Sequence, residues 1–277
     1  MTCVRLALPV GFLLVCLTLP SIGQTSEDRR KESFVPPMQT QSQVSNPTAN
    51  PAERRISDEE KGDLYMARKQ YREAMEQYKL LCEQDPHNAV YLNKLGIALH
   101  QQTALGLALK YYEKAVKANP KYADAENNIG TIWYQRKKYG KAVRAYQRAI
   151  KMRDDMPILY SNLGYAYFGQ GKYDESIAAF RTALSKDPLF FERGSSRNGS
   201  VLQDRSVPDR GRFYFLLAKS FAEAGNLDRA VLYLRKAKEE GYAKINDVKK
   251  DPAFAALLTD PVIIELLAPK PVESAQQ

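Results

Sequence analysis

Residues 92–120 read LNKLGIALHQQTALGLALKYYEKAVKANP, and residues 159–188 read LYSNLGYAYFGQGKYDESIAAFRTALSKDP. The two stretches place the same residue types in the same order. Working outward, Gly62, Gly96, Gly130 and Gly164 stand 34 residues apart. Ala74, Ala108 and Ala142 keep that step, with Ser176 next in line, and so do Tyr78, Tyr112, Tyr146 and Phe180. Pro86, Pro120 and Pro188 close three of the four units. Self-similarity at a fixed step of this size is the mark of a stacked-repeat fold.

Each position has a physical task. The glycine and the alanine fall on two successive helices, and their small side chains let the helices approach. The aromatic four residues after the alanine shares its helical face and fills the space beside it. A further small residue (Ala115, Ala149, Ala183) makes room for the next unit. Proline cannot continue a helix and resets the chain.

The pattern L-G-x-x-Y … A-x-x-x-F/Y-x-x-A … P with its 34-residue step resembles the tetratricopeptide-repeat (TPR) family. The third unit departs from it at Trp133 and Asp154, the first at Lys61 and Leu81, and a first repeat with one neighbour tolerates such departures. A fifth unit carries Ala218, Phe221, Ala230, Leu234 and Ala237, displaced by 20 residues. The expected fold is all-α: a right-handed TPR superhelix, or α-solenoid, of about five helix-pair repeats with a C-terminal capping tail.

The expected order is a signal peptide (1–23), a disordered tether (24–54), repeats 1–4 (55–190), an inserted polar loop (191–210), repeat 5 (211–244), capping helices (245–268) and a disordered tail (269–277). The signal reading rests on Arg5, the apolar run Leu6–Leu19, and small Ser21 and Gly23 before a mature start at Gln24. The alternative is an uncleaved membrane anchor, although the run is short for a span. Bulky Val15 before Cys16 argues against a lipoprotein. Only Cys82 would remain after cleavage, so no internal disulfide is expected in the mature chain. In the capping tail, Asp251-Pro252 and Asp260-Pro261 are helix starts.

The resemblance implies a binding groove lined by the first helix of each repeat. Its positions carry over as Asn93, Lys94, Ile97 and His100; Asn127, Asn128, Thr131 and Tyr134; Ser161, Asn162, Tyr165 and Phe168; and Phe215 and Lys219. Amides can hold an extended peptide and aromatics supply apolar contact. The bland alternative is that these residues pack between repeats. A C-terminal carboxylate clamp is not expected, because Asp63 follows Gly62 where that subgroup has Asn.

Charge supplies a second surface. The chain carries a net charge of +9. Between Arg136 and Arg153 stand eight basic residues and no acidic one. Lys137, Lys141, Arg144, Arg148 and Lys151 follow a 4-3-4-3 step, one helical face, opposite the expected buried set. The stripe is either a solvated face or a contact for an acidic partner or a membrane surface; no nucleic acid is expected.

The two histidines, His87 and His100, form no catalytic or metal spacing, and the glycines follow the repeat rather than a phosphate loop. The expectation is a non-catalytic scaffold without cofactor or metal, acting in a periplasmic or extracellular compartment. A holdase for unfolded exported chains is the alternative.

Overall fold

The computed structural model describes residues 56–193, 207 and 209–268, and all regular structure among them is helical. The signal, tether and tail expected at 1–23, 24–54 and 269–277 lie outside the described residues. Ten helices form five successive pairs: α1 (Asp58–Ala67) with α2 (Tyr71–Gln84), α3 (Ala89–Gln101) with α4 (Leu105–Ala118), α5 (Ala123–Gln135) with α6 (Tyr139–Met152), α7 (Pro157–Gly169) with α8 (Tyr173–Lys186), and α10 (Arg210–Glu223) with α11 (Leu227–Glu239). The four-residue α9 (Phe190–Arg193) lies between the last two pairs. Each pair also packs on the next, α2 on α3, α4 on α5, α6 on α7 and α8 on α10. No described helix is long and apolar enough to cross a membrane.

The helix ends follow local chemistry. At the start of α1 the Ser57 hydroxyl accepts from the Glu60 N–H, and the Glu60 carboxylate accepts from the Ser57 N–H. That reciprocal box satisfies two amides that a helix start leaves unpaired. Between the two helices of each pair one residue turns left-handed: Lys69, Thr103 and Lys137 at φ 60°, 60° and 56°, then Gly171 and Gly225 at 75° and 80°. Gly171 meets this demand without strain because it has no Cβ. Lys137 therefore lies in a turn and not on α6, where the basic stripe places it.

Within a pair, the aromatic of the second helix sits directly over the glycine of the first. A Cβ built on Gly62, Gly96, Gly130 or Gly164 would come within 2.5 to 2.6 Å of the ring of Tyr78, Tyr112, Tyr146 or Phe180. Those rings are fully buried or nearly so. The fifth repeat makes the opposite pair of choices in the same register. Ala218 stands for the glycine and Leu234 for the ring, and both are fully buried. The added methyl is matched by the lost ring.

The inserted segment is not a wholly polar loop. Phe191 packs edge-on to Phe180 and Phe221, at ring centroids 5.8 and 5.9 Å, and Val207 is buried in the same core cluster. Residues 194–206 lie outside the described set. Downstream, Asp251 and Asp260 cap two short turns of helix, Pro252–Leu257 (3-10) and Pro261–Leu266 (α12). Phe254 from the first meets Phe215 of α10, and Lys219 pairs with Asp251 at 2.7 Å. These contacts tie the tail to the last repeat.

The size exchange between repeats 4 and 5 yields a coupling test. Gly164→Ala should overpack against Phe180 and cost about 1–3 kcal/mol. Phe180→Leu should leave a void of similar cost. The double variant, which reproduces the Ala218–Leu234 choice, should lose less than the sum by at least about 0.5 kcal/mol. Urea unfolding of the four proteins measures this; strict additivity would show that the contact does not set the spacing.

Candidate partner-binding surfaces

The groove residues expected on the first helices occupy a regular ladder between repeats. Lys94 Nζ donates to Glu59 Oε1 at 2.7 Å, Asn128 Nδ2 to Asn93 Oδ1 at 2.9 Å, and Asn162 Nδ2 to Asn127 Oδ1 at 2.8 Å. Each donor lies 35 residues after its acceptor, one repeat plus one position. The rung changes chemistry with depth. Glu59 and Lys94 keep 37% and 21% of their side-chain surface exposed, whereas Asn127, Asn128 and Asn162 have almost none. Buried charge is costly, while a paired amide is not.

This corrects the sequence expectation for Asn93, Asn127, Asn128 and Asn162. Their amides are buried and bond one another across repeats, so they do not face an open groove. Tyr134, Tyr165 and Phe168 are likewise buried, Tyr134 against Tyr139 and the other two in the aromatic core around Phe213. Tyr165 stacks on Phe213 at 5.1 Å, and Phe168 meets it edge-on at 5.6 Å. Of the positions carried over from the family on α3, only Lys94 and Ile97 keep partial exposure. Lys94 is held by two carboxylates, since its Nζ also donates to Asp63 at 2.7 Å. Burial opposes its charge, but the bonds to Asp63 and Glu59 outweigh that and hold the ammonium above the ordinary lysine range. A lysine so neutralised is poorly placed to capture a free carboxylate.

The ladder stops at the displaced repeat. Ser161 stands in the column of Asn93 and Asn127, and the residue that would supply its rung after the 20-residue shift is Leu216. The Ser161 hydroxyl is fully buried, and it alone among the described buried side-chain N and O atoms lacks a hydrogen-bond partner.

His100 forms a second link with the same 35-residue step. Its Nε2 lies 3.0 Å from Gln135 Oε1, and its Nδ1 lies 3.4 Å from the Tyr112 hydroxyl. An amide oxygen only accepts, so Nε2 carries the proton and Nδ1 is free to accept from Tyr112. Burial holds the imidazole below its ordinary pKa, against the smaller opposing effect of Gln135.

The basic stripe does face solvent: Lys137, Lys141, Arg144, Arg148 and Lys151 are all exposed. Two of them also have partners inside the molecule. Arg148 donates through Nε and Nη2 to both carboxylate oxygens of Glu126, each at 2.9 Å, and Lys141 sits 4.3 Å over the Trp133 ring. Glu126 is 6% exposed, so Arg148 neutralises a buried carboxylate as well as facing water. Cys82 is half-buried, and burial pushes its thiol up to about 11. His87 is exposed.

Family models now fall on this geometry. A model described as a TPR repeat matches residues 62–102 and 130–171, and three described as tetratricopeptide repeats match 89–122, 157–189 and 198–243. The chain is built of tetratricopeptide repeats. The matches place it among protein-interaction scaffolds. Its backbone is similar to a crystal structure of MamA, at 25% identity and a TM-score of 0.46, over 67% of this chain and 96% of that one. It is also similar to MamA 41-end from Desulfovibrio magneticus RS-1, at 18% identity and 0.47, over 66% and 92%. No curated protein matches the sequence.

The TPR ladder generates two checks of opposite sign. Asn128→Ala strands the buried Asn93 oxygen and should destabilise by about 1–3 kcal/mol, whereas Ser161→Ala removes an unpartnered buried hydroxyl and should be neutral or stabilise by up to about 1 kcal/mol. Thermal or urea melts of the two variants decide it, and equal losses would refute the ladder.

His100 gives a pH dependence. Its folded pKa is lowered, so the unfolded chain binds the proton more readily. Stability should be full above the unfolded value near 6.5 and fall as pH drops below it. In a melt series from pH 8 to pH 5, His100→Gln should flatten that slope.

Proposed function

We propose that this chain is an exported, non-catalytic scaffold that holds a peptide or helix of a partner protein along the first helices of its repeats. The supporting observation is the difference between the ends of the ladder. In repeats 3 and 4 the first-helix face is spent on internal amide pairs. In repeat 1, and at Lys94 and Ile97 of repeat 2, it is polar, ion-paired and partly open: Lys94 pairs with Asp63 and Glu59, and Ile97 follows it by one helical turn. A part-exposed aliphatic one turn from an ion-paired lysine suits a segment that brings one apolar anchor and neutral polar neighbours. Export rests on Arg5, the Leu6–Leu19 run and the small residues Ser21 and Gly23.

A photo-crosslinking residue at Ile97, in the full chain expressed in its own host, should capture one partner or a few in defined stoichiometry. The same probe at Arg72, an exposed α2 position, should not. Capture at both positions alike, or at neither, removes the groove reading. Mass spectrometry of the protein from the envelope fraction should find Gln24 as the first residue; an intact Met1 terminus would overturn the cleaved-signal reading without touching the groove.

A further inference from the structure

The second helices share an outer column with the 34-residue step. In α2 it carries Glu73, Glu76, Leu80 and Glu83; in α4, Leu107, Lys110, Lys114 and Lys117; in α6, Lys141, Arg144, Arg148 and Lys151; in α8, Glu175, Ala178, Thr182 and Ser185. All but Thr182, which is part-buried, are exposed. One structural position is thus acidic in repeat 1, basic in repeats 2 and 3, and nearly neutral in repeat 4. Apart from Arg148, which neutralises the buried Glu126, the stack does not demand this pattern, because the buried faces of α4 and α6 are set by Ala108, Tyr112 and Ala115 and by Ala142, Tyr146 and Ala149.

From Leu105 to Arg153 there are twelve Lys and Arg against three carboxylates. Of those three, Glu126 is already bound by Arg148, and burial raises the Asp124 pKa. We propose that the outer face of α4 and α6 docks onto a surface of anionic phospholipid headgroups.

Three observations favour lipid over an acidic protein. First, eight of the twelve cations are lysines, point charges on long stems that are depleted at protein interfaces. Second, the forked cations that suit a partner's carboxylate are partly taken: Arg148 holds Glu126, and Arg153 holds Asp155 at 3.0 Å. Third, the face mixes cations with amphipathic rings and an exposed aliphatic. Lys114 lies 4.9 Å from the Tyr111 ring, Trp133 sits under both Lys141 and Arg136, and Leu107 is 54% exposed. Lysine mixed with Tyr and Trp is what a headgroup layer accommodates. The acidic outer column of repeat 1 would turn that repeat away from the same surface. This docking goes beyond the groove reading and stands or falls without it.

The test uses the full chain and vesicles of phosphatidylcholine with or without phosphatidylglycerol. Each Lys or Arg beside an anionic leaflet raises partitioning roughly fivefold. The variant K110Q/K117Q/R144Q/K151Q changes four exposed side chains. It should keep the thermal melt of the parent and bind the anionic vesicles several hundred-fold less. Binding of the parent should collapse between 50 and 500 mM salt, and the charge-conserving K110R/K117R/K151R should bind at low salt as the parent does. Any binding to the neutral vesicles should be the same in all three proteins. Equal partition onto neutral and anionic vesicles, or an unchanged affinity in the glutamine variant, overturns the proposal. So does a parent that ignores vesicles but binds a polyglutamate peptide, which would assign the face to an acidic polypeptide.

Discussion

The contact on which the structure depends is a bare glycine Cα against an aromatic ring. A helix pair must bury its apolar stripe, and how closely the two axes approach decides what else can meet. In four repeats no Cβ stands between the backbone of the first helix and the ring of the second. The ring is then enclosed, and burial drives the Tyr78, Tyr112 and Tyr146 hydroxyls well above the ordinary tyrosine range, with a bond to Asp63 adding to the effect at Tyr78. The polar end still needs a partner in such a site. Tyr78 donates to Asp63 at 2.7 Å, Tyr112 reaches His100, and Tyr146 lies 3.3 Å from Thr131 Oγ1. Phe180 and Leu234 carry no hydroxyl and need none. One size constraint therefore selects the aromatic, and the aromatic selects a polar residue on the first helix.

Spacing within pairs fixes spacing between them. With each pair at the same separation, a residue on one first helix meets the position 35 places earlier on the previous one. The three amide and ion rungs and the His100–Gln135 link all use that offset. The ladder tolerates ions where water reaches and amides where it does not. At the fifth repeat the 20-residue insertion coincides with Leu216, and the junction is held by rings instead. Phe213 meets Tyr165, Phe168 and Phe180, and Phe191 bridges Phe180 to Phe221. Rings suit this place because they bury area without demanding the exact donor–acceptor alignment that the insertion would disturb.

The repeat was legible because its constraints are local and recur at one step: Gly96, Ala108, Tyr112 and Ala115 each recur 34 residues on, and Pro120 recurs two steps on as Pro188. The ladder was not, although its residues were visible. Asn127 and Asn128 on a first helix have the same composition whether they bind a peptide or a neighbouring repeat. What separates the two readings is a second period, an amide at n with another at n + 35, which a search for columns at 34 passes over. Lys137 was misplaced for a related reason. Its 4-residue step to Lys141 fits a helix face, and the evidence against it is the left-handed column of Lys69, Thr103, Gly171 and Gly225, which becomes plain only from backbone angles. The hidden aromatic value of Phe191 arose from judging 191–210 by average polarity, which discounts a single anchor.

What the stack leaves free is its outer column, apart from Arg148 with its buried Glu126 partner. Inner positions answer to ring size, ladder depth or insertion register, and a change there is felt as stability. Outer positions such as Glu73, Lys110, Arg144 and Ala178 touch none of these, so local packing does not dictate their charge. Repeats that share one buried pattern nevertheless carry opposite signs at these sites, and the signs are grouped rather than mixed. A surface that only needs solubility is served by interspersed charge. Segregation instead builds a field that orients the molecule toward whatever carries the opposite sign. In a scaffold whose inner amides are bonded to one another, that grouped exterior is where sequence could be adjusted for a particular neighbour without disturbing the fold.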